Sequence, residues 1–171
     1  MAEYKGIKGF KVQYLDQDPV PTVAGWSAGN NMGTARRLLA GTGTQTAGLG
    51  FGGYSPPNTN MTNTEEYDGS SWTAGGNLNT GRRDLAGAGI QTAALAFGGN
   101  VPPETSATEE YNGTAWTTSP ASLSTARQGL AGAGTQPAAL GFGGYAPPGA
   151  TAATEEFTIT GTKNIKTITV S

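Results

Sequence analysis

Residues 95–103 of the chain read LAFGGNVPP, and this stretch decides the fold because the chain contains it three times. The other copies are LGFGGYSPP at residues 49–57 and LGFGGYAPP at residues 140–148. Their phenylalanines are 46 and 45 residues apart. A fixed period in the range of about 20–50 residues is typical of solenoids, propellers and other repeat arrays. The sequence therefore predicts three copies of one supersecondary unit.

Each unit is predicted to contain four short β-strands. Glycine is abundant and the apolar stretches are short, which favours strands over helices. Asp68-Gly69 and Asn112-Gly113 predict tight hairpin turns, because both central residues of such a turn need positive φ. The fourth strand of a unit is expected to carry its tryptophan. The other expected strands are 38–43, 85–89 and 130–134 for the first, 47–52, 93–98 and 138–143 for the second, and 64–67, 108–111 and 154–157 for the third.

The units are cut at an internal point of the repeat. Trp26 predicts a fourth strand that lacks its own first three, whereas residues 127–157 supply three strands without a tryptophan strand. The expected strand order is 4-1234-1234-123. The predicted domains are an N-terminal strand and linker at 1–21, three repeats at 22–157, and a C-terminal strand tail at 158–171.

The repeated residues resemble the Kelch repeat, the four-stranded blade of one class of β-propeller. A double glycine follows an apolar strand, and a tyrosine, a tryptophan and an arginine come after it. The Tyr-to-Trp gap of five residues and the period near 45 are shorter than is usual for that class. The glycines that carry the resemblance are Gly52, Gly53, Gly98, Gly99, Gly143 and Gly144.

Several segments are more closely similar to Kelch-like virion proteins of tailed phages that infect marine cyanobacteria. These segments are TEEYDGSSWT, NLNTGRR, AGAGTQ, the terminal KTITVS and the lead MAEYKGIKGFKVQ. The resemblance implies a structural or host-contacting component of the phage particle, such as a tail, fibre or capsid appendage. It implies location in the virion, and it does not imply an enzyme.

The number of units bears on how such a propeller would close. Propellers typically have 4–8 blades, so three four-stranded blades are too few for a ring. The predicted fold is an all-β, Kelch-like β-propeller that a homodimer closes as a six-bladed ring. In that dimer the Trp26 strand completes the open blade of the same chain or of its partner, which leaves no edge strand exposed. The alternatives are a threefold monomer of the β-trefoil or β-prism kind and a trimer assembled through the tails.

The composition excludes several classes of function. The chain has no His and no Cys, so copper and zinc catalysis and Ser/His/Asp or Cys/His nucleophilic sites are not expected. The net charge of −2 gives no general attraction to nucleic acid. No run approaches the roughly 18 apolar residues of a membrane span, and the first residues lack the apolar segment of a secretory signal. We therefore predict no enzymatic activity, no cofactor and no membrane insertion.

Glutamate pairs and arginines recur with the repeat. Paired carboxylates can serve acid–base catalysis or bind calcium, but adjacent strand residues point to opposite faces of a sheet. We expect one glutamate of each pair to accept hydrogen bonds from an arginine of the neighbouring blade, and the other to be solvated. Arginines around one axis would alternatively bind phosphate or a sulfated glycan. The residues are Arg36, Arg82 and Arg127, with the pairs that begin at Glu65, Glu109 and Glu155.

The tryptophans and the loops after Pro-Pro are the remaining candidates. Trp26, Trp72 and Trp116 hold fixed repeat positions, which favours packing between blades over sugar stacking. The loops differ among the units, and loops on rigid scaffolds usually carry recognition. We expect a host-surface or glycan ligand to bind there. The candidate loop residues are Tyr54, Ser55, Asn58, Asn100, Val101, Glu104, Tyr145 and Ala146.

Apolar strands are also predicted at both ends of the chain, outside the repeats. Each carries lysine, and such strands suit docking to another virion protein or to a second subunit. They would otherwise pair with each other and cap the domain. The alternative function is therefore a purely architectural connector or decoration protein. The residues are Ile7, Phe10 and Val12 at one end and Ile165, Ile168 and Val170 at the other.

Overall fold

The structure is a computed structural model that describes residues 24–57 and 59–159. These ranges contain strands and no α-helix, in several small antiparallel sheets of which none closes on itself. The all-β prediction is confirmed. The predicted terminal strands with Ile7, Phe10, Val12, Ile165, Ile168 and Val170 lie outside the described residues.

The strands are short and follow one another in a regular order. In chain order they are β1 (Ala40–Thr44), β2 (Ala47–Phe51), β3 (Tyr54–Ser55), β4 (Thr59–Asn60), β5 (Thr64–Tyr67), β6 (Trp72–Ala74), β7 (Ala86–Ile90), β8 (Ala93–Phe97), β9 (Thr108–Tyr111), β10 (Trp116–Thr118), β11 (Ala131–Thr135), β12 (Ala138–Phe142), β13 (Tyr145–Ala146), β14 (Gly149–Ala150) and β15 (Thr154–Thr158).

Three larger sheets correspond to the three sequence units. The first sheet has the order β1-β2-β5-β6, the second β7-β8-β9-β10, and the third β11-β12-β15. Equivalent residues have equivalent register, since Ala96 lies opposite Glu109 as Gly141 lies opposite Glu155. The first three predicted strands are therefore present in every unit, and the tryptophan strand is present in the first two.

The strand boundaries differ from the prediction at the start of each unit. Leu38 and Asp84 have φ angles of 58° and 53°, in the left-handed region that strands do not use. The first strand of the first unit consequently begins only at Ala40, and those of the other two units begin at Ala86 and Ala131, one residue later than predicted. The hairpins β3–β4 and β13–β14 inside the loops were not predicted, because two-residue strands give no alternation to recognise.

The larger sheets pack in series, with the second sheet between the other two. β7 lies against both β1 and β11. A Cβ atom on Gly87 would lie 2.7 Å from the Phe51 ring, and one on Gly132 would lie 2.9 Å from the Phe97 ring. The glycine at this position of the first strand therefore allows the phenylalanine of the preceding sheet to pack against it.

Two apolar cores fill the spaces between the sheets. Successive residues of β8 face different cores, because side chains alternate along a strand. Ala94 and Ala96 belong to the core shared with the first sheet, whereas Leu95 and Phe97 belong to the core shared with the third. The second sheet is thus buried on both faces.

The structure corrects the prediction for Trp26. Residues 24–36 contain no strand, and the Trp26 side chain is fully exposed. Trp116, at the equivalent position two units later, is buried in a core. The first sheet, beside which this segment lies, already has its own tryptophan strand, β6. The predicted packing of Trp26 between blades is therefore wrong for the single chain.

Candidate functional site

Each repeat arginine is buried against a glutamate of its own unit. Arg82 Nη2 lies 2.8 Å from Glu109 Oε1, and Arg82 Nη1 donates to the carbonyl of Ala107 at 3.0 Å. Arginine and glutamate pair as predicted, but the prediction that they join neighbouring blades is wrong. Arg82 precedes the first strand of its sheet and reaches across to the third strand of that same sheet. The matching pairs are Arg36–Glu65 at 2.6 Å and Arg127–Glu155 at 2.8 Å.

The second oxygen of each glutamate is also occupied. The backbone N–H of Asn79 donates to Glu109 Oε2 at 2.7 Å, and those of Gly33 and Ser124 make the same bond in the other units. Burial lowers the pKa of the Arg82 guanidinium, while the charge of Glu109 opposes this shift. In the described part of the chain no three acidic side chains come together as a metal site. These carboxylates therefore stabilise the sheets and are not placed for acid–base catalysis.

The second glutamate of the first pair also has a structural partner. Tyr111 Oη donates to Glu66 Oε1 at 2.6 Å, and this bond joins the second sheet to the first. Burial, and next the hydrogen bond to Glu66, together raise the pKa of Tyr111 to about 12. The prediction that the second glutamates are merely solvated is wrong for Glu66.

Trp116 packs between sheets. Its ring centroid lies 4.9 Å from that of Phe51, and its Nε1–H donates to Thr64 Oγ1 at 2.9 Å. Both partners belong to the preceding sheet. Trp72 packs against Tyr67 with the ring planes tilted by 40° and the ring centroids 5.0 Å apart. Trp116 is buried and does not provide a surface for a sugar.

The loop candidates share one position in the fold. In each unit the first residue of the loop forms an antiparallel bridge with the residue that follows the repeat arginine. Where the loop residue is Tyr54 or Tyr145 it is partly or largely exposed, whereas Asn100 is buried. The bridges are Arg37–Tyr54, Arg83–Asn100 and Gln128–Tyr145.

The other predicted loop residues are held by the loop backbone. Ser55 and Ala146 pair within the short hairpins, and the N–H of Val101 donates to the carbonyl of Pro103 at 3.0 Å. Glu104 forms a bridge with Asn100. Asn58 lies outside the described residues.

Tyr54 lies between two guanidinium groups in an open groove. The Cζ atoms of Arg37 and Arg83 are each 5.2 Å from the centre of its ring. Arg83 comes from the following unit, and its Nη1 donates to Asn60 Oδ1 at 2.9 Å. We call this the Tyr54 groove. Its lining residues are Arg37, Leu38, Tyr54, Asn60, Arg83 and Pro102.

The Tyr54 groove carries positive charge. Arg83 lies 3.7 Å from Asp84, and both side chains are partly exposed. Arg37 is exposed, and no carboxylate of the described residues lies within ion-pair distance of it. Asn60 Nδ2 donates to the carbonyl of Asn100 at 2.9 Å, which joins the first loop to the second. The groove thus presents an aromatic ring flanked by two cations on a fixed backbone.

Sequence reasoning identified Tyr54 but missed Arg37 and Arg83. A signal was present, because two units have an arginine doublet where the third has Arg127-Gln128. The second arginine of the doublet is therefore not required by the scaffold. Tyr145 lies outside the groove, so the structure does not bring all the loop candidates together.

No protein-family model matches the chain, and no curated protein matches it at a significant level. Among the described residues no helix is long and apolar enough to cross a membrane. The charge and aromatic character of the Tyr54 groove are therefore the main indications of a ligand.

Proposed function

We propose that the chain is a non-enzymatic virion protein of a tailed phage, built on Kelch-like propeller blades, that binds an anionic surface glycan in the Tyr54 groove. The virion assignment is supported by the resemblance of the repeat segments. The observation that carries recognition is the placement of Tyr54 between the guanidinium groups of Arg37 and Arg83.

The chemistry of the groove suits an acidic sugar. Guanidinium groups bind carboxylate and sulfate oxygens through paired hydrogen bonds, and they retain their charge at every physiological pH. The ring of Tyr54 attracts both guanidinium groups through its π face and so holds the two charges at one site. Asn60 and Asn100 couple the two loops, so the three groups are positioned before a ligand arrives.

Binding is tested by calorimetry with sulfated, carboxylated and neutral oligosaccharides of equal length. We expect only the anionic ligands to bind, and we expect Arg37→Gln and Arg83→Gln each to weaken binding about tenfold or more, because a charged hydrogen bond contributes roughly 1.5–3 kcal/mol. Glutamine is a suitable replacement since Gln128 occupies the equivalent position of the third unit. Affinity should also fall as salt rises.

The matched control is Tyr145→Ala, which removes the equivalent tyrosine without touching the groove. Equal loss of affinity in Tyr145→Ala and Tyr54→Ala would contradict a site at Tyr54. Absence of binding to every oligosaccharide, together with tight association to another virion protein, would support the architectural connector instead.

A further inference from the structure

A cleft beside β15 has the lining of a tryptophan site but contains no tryptophan of the described residues. Its volume is about 170 Å³, and a dry cavity of about 150 Å³ is large enough to bind benzene. In the described part of the chain no strand pairs with the outer edge of β15. We call this the β15 cleft. The lining residues that matter here are Phe97, Thr108, Leu123 and Phe157.

The equivalent residues of the preceding unit enclose Trp116. Its ring packs on Phe51 and Tyr111, its Nε1–H donates to Thr64, and Leu78 belongs to the same core. Each of these residues precedes its counterpart in the β15 cleft by one repeat. The cleft therefore offers a phenylalanine face, a hydroxyl acceptor and an apolar wall, all of which an indole requires.

Trp26 has a fully exposed side chain in the described chain, whereas Trp72 is half-buried and Trp116 is buried. Trp26 precedes Arg36 by ten residues, as Trp72 precedes Arg82. Downstream of it, Gly33 donates to Glu65 just as Asn79 donates to Glu109. The segment after Trp26 thus follows the repeat, while its indole remains fully exposed.

In the described chain Trp26 lies at the opposite end of the series of sheets from the β15 cleft. Residues 24–29 lie beside Gln45, Thr46 and Tyr67 of the first sheet. The cleft lies on the third sheet, and the second sheet separates the two.

We propose that the β15 cleft binds Trp26 of a second copy of this chain, whose residues 26–28 add a fourth strand to the edge of β15. This inference does not depend on glycan binding. In the second sheet Trp116 lies opposite Tyr111 and Thr117 lies opposite Glu110. The same register places Trp26 of one copy opposite Phe157 of the other, and Ser27 opposite Glu156.

The remaining surfaces at the two ends of the stack are complementary. Leu140 and Phe142 of the third sheet are exposed, whereas the equivalent Phe51 and Phe97 pack against Gly87 and Gly132 of the following sheet. The equivalent glycine of the first sheet is Gly41. In the described chain a Cβ atom there would meet only the carbonyl of Leu49 at 3.4 Å. Gly41 is thus open to receive Phe142 of another copy.

A glutamine side chain also connects each sheet to the preceding one, and the first sheet has this glutamine without a preceding sheet in the described chain. Gln91 Nε2 donates to the carbonyls of Gly48 and Tyr67 in the preceding sheet, and Gln136 Nε2 donates to those of Ala94 and Tyr111. Gln45 holds this position in the first sheet, where no sheet of the described chain precedes it. Its amide is therefore available to the third sheet of a second copy.

The proposed contact between copies is head-to-tail. Such a contact gives a closed ring only if the rotation that relates successive copies adds up to a full turn. Two copies with three sheets each give six, within the range of about 4–8 that propellers use. Both β15 clefts are then filled, and each chain donates one Trp26 and receives one.

The first test is the native mass of the full chain and of two variants. We expect a mass of two chains, and we expect Trp26→Ala to weaken association by about 100-fold or more, as for a central tryptophan of an interface. The control is Ile90→Ala, which removes another exposed apolar side chain, from the middle unit. A mass of one chain, or unchanged association of Trp26→Ala, would overturn the proposal.

The second test locates the contact by disulfide formation, since the chain has no cysteine of its own. Chains with Ser27→Cys are mixed with chains with Glu156→Cys under oxidising conditions, because residues directly opposite on paired strands lie within disulfide range. We expect covalent dimers in the mixture only. Linkage within one chain that carries both cysteines would assign the cleft to its own Trp26. The absence of any linkage would mean that Ser27 and Glu156 do not pair. Either result, linkage within one chain or no linkage, would refute binding of a second copy.

Discussion

The second and third sheets have nearly the same sequence and strand register but very different surroundings. Leu95 is 0% exposed and its equivalent Leu140 is 38% exposed, and Phe97 and Phe142 differ as much, at 4% and 39%. Both phenylalanines end the second strand of their sheet. The difference arises because a following sheet covers the second sheet but not the third. In a repeat fold, the neighbouring unit decides whether a side chain belongs to the core.

The largest expected effect of this difference is on the buried ion pairs. Arg82→Ala should lower the free energy of unfolding by about 4 kcal/mol, because it leaves Glu109 as an unpaired charge in the core. The Glu109 side chain is 3% exposed and that of Glu155 is 24% exposed. Water can therefore solvate Glu155, and Arg127→Ala should cost about half as much. Urea unfolding measures both.

The partly exposed Arg83→Gln is the control for this pair of variants and should cost under about 1 kcal/mol. Equal destabilisation by Arg82→Ala and Arg127→Ala would mean that the third sheet is as well covered in solution as the second.

Truncation of the equivalent leucines gives a smaller contrast. Leu95→Ala should cost about 3 kcal/mol, because it opens a cavity between two packed sheets. Leu140→Ala should cost under about 1 kcal/mol in the single chain, since its side chain is already partly in water. Thermal unfolding at low protein concentration measures this difference. If Leu140→Ala becomes costly as concentration rises, a second copy covers the third sheet.

The smallest effect concerns pH and compares Tyr111 with Phe157, its equivalent in the third sheet. The pKa of Tyr111 is raised to about 12 in the folded chain, against about 10 when unfolded. Its contribution to stability is therefore complete below about pH 10 and is lost as the pH rises through about 12. Tyr111→Phe should lose about 1 kcal/mol at neutral pH, with the Glu66 hydrogen bond. The free energy of unfolding of this variant should then decline less between pH 10 and pH 12 than that of the native chain, which pH-dependent urea unfolding records.

The strands could be predicted because their signals are local. A hairpin is present at Asp68-Gly69, but the predicted two-residue turn is wrong: Tyr67 pairs with Trp72 across a loop of residues 68–71, and Gly69, at a φ of 96°, has positive φ whereas Asp68 does not. Asp68 accepts hydrogen bonds from the N–H groups of Ser70 and Ser71, which lower its pKa. Such turns depend on a few consecutive residues, so the sequence indicates them directly.

The site could not be predicted to the same depth, because it depends on contacts between units. Tyr54 and Arg83 are 29 residues apart, and only the packing of two sheets brings them together. The partner of Arg82 was misassigned for the same reason, since periodicity does not distinguish a glutamate of the same unit from one of the next. The exposure of Trp26 in the single chain could not be predicted, because periodicity does not tell whether the strand that it predicts finds a sheet within its own chain.

The two kinds of repeat contact have opposite consequences for the duplication of units. Arg82 and Glu109 lie within one unit, so a gene that gains or loses a whole unit always gains or loses both charges. Had the pair spanned two units, every terminal unit would carry a buried and unpaired charge. The tryptophan strand, in contrast, is separated from its sheet by the cut inside the repeat, so any number of units leaves one tryptophan and one cleft at opposite ends. Repeat number can therefore change during evolution at little electrostatic cost, while the ends remain complementary.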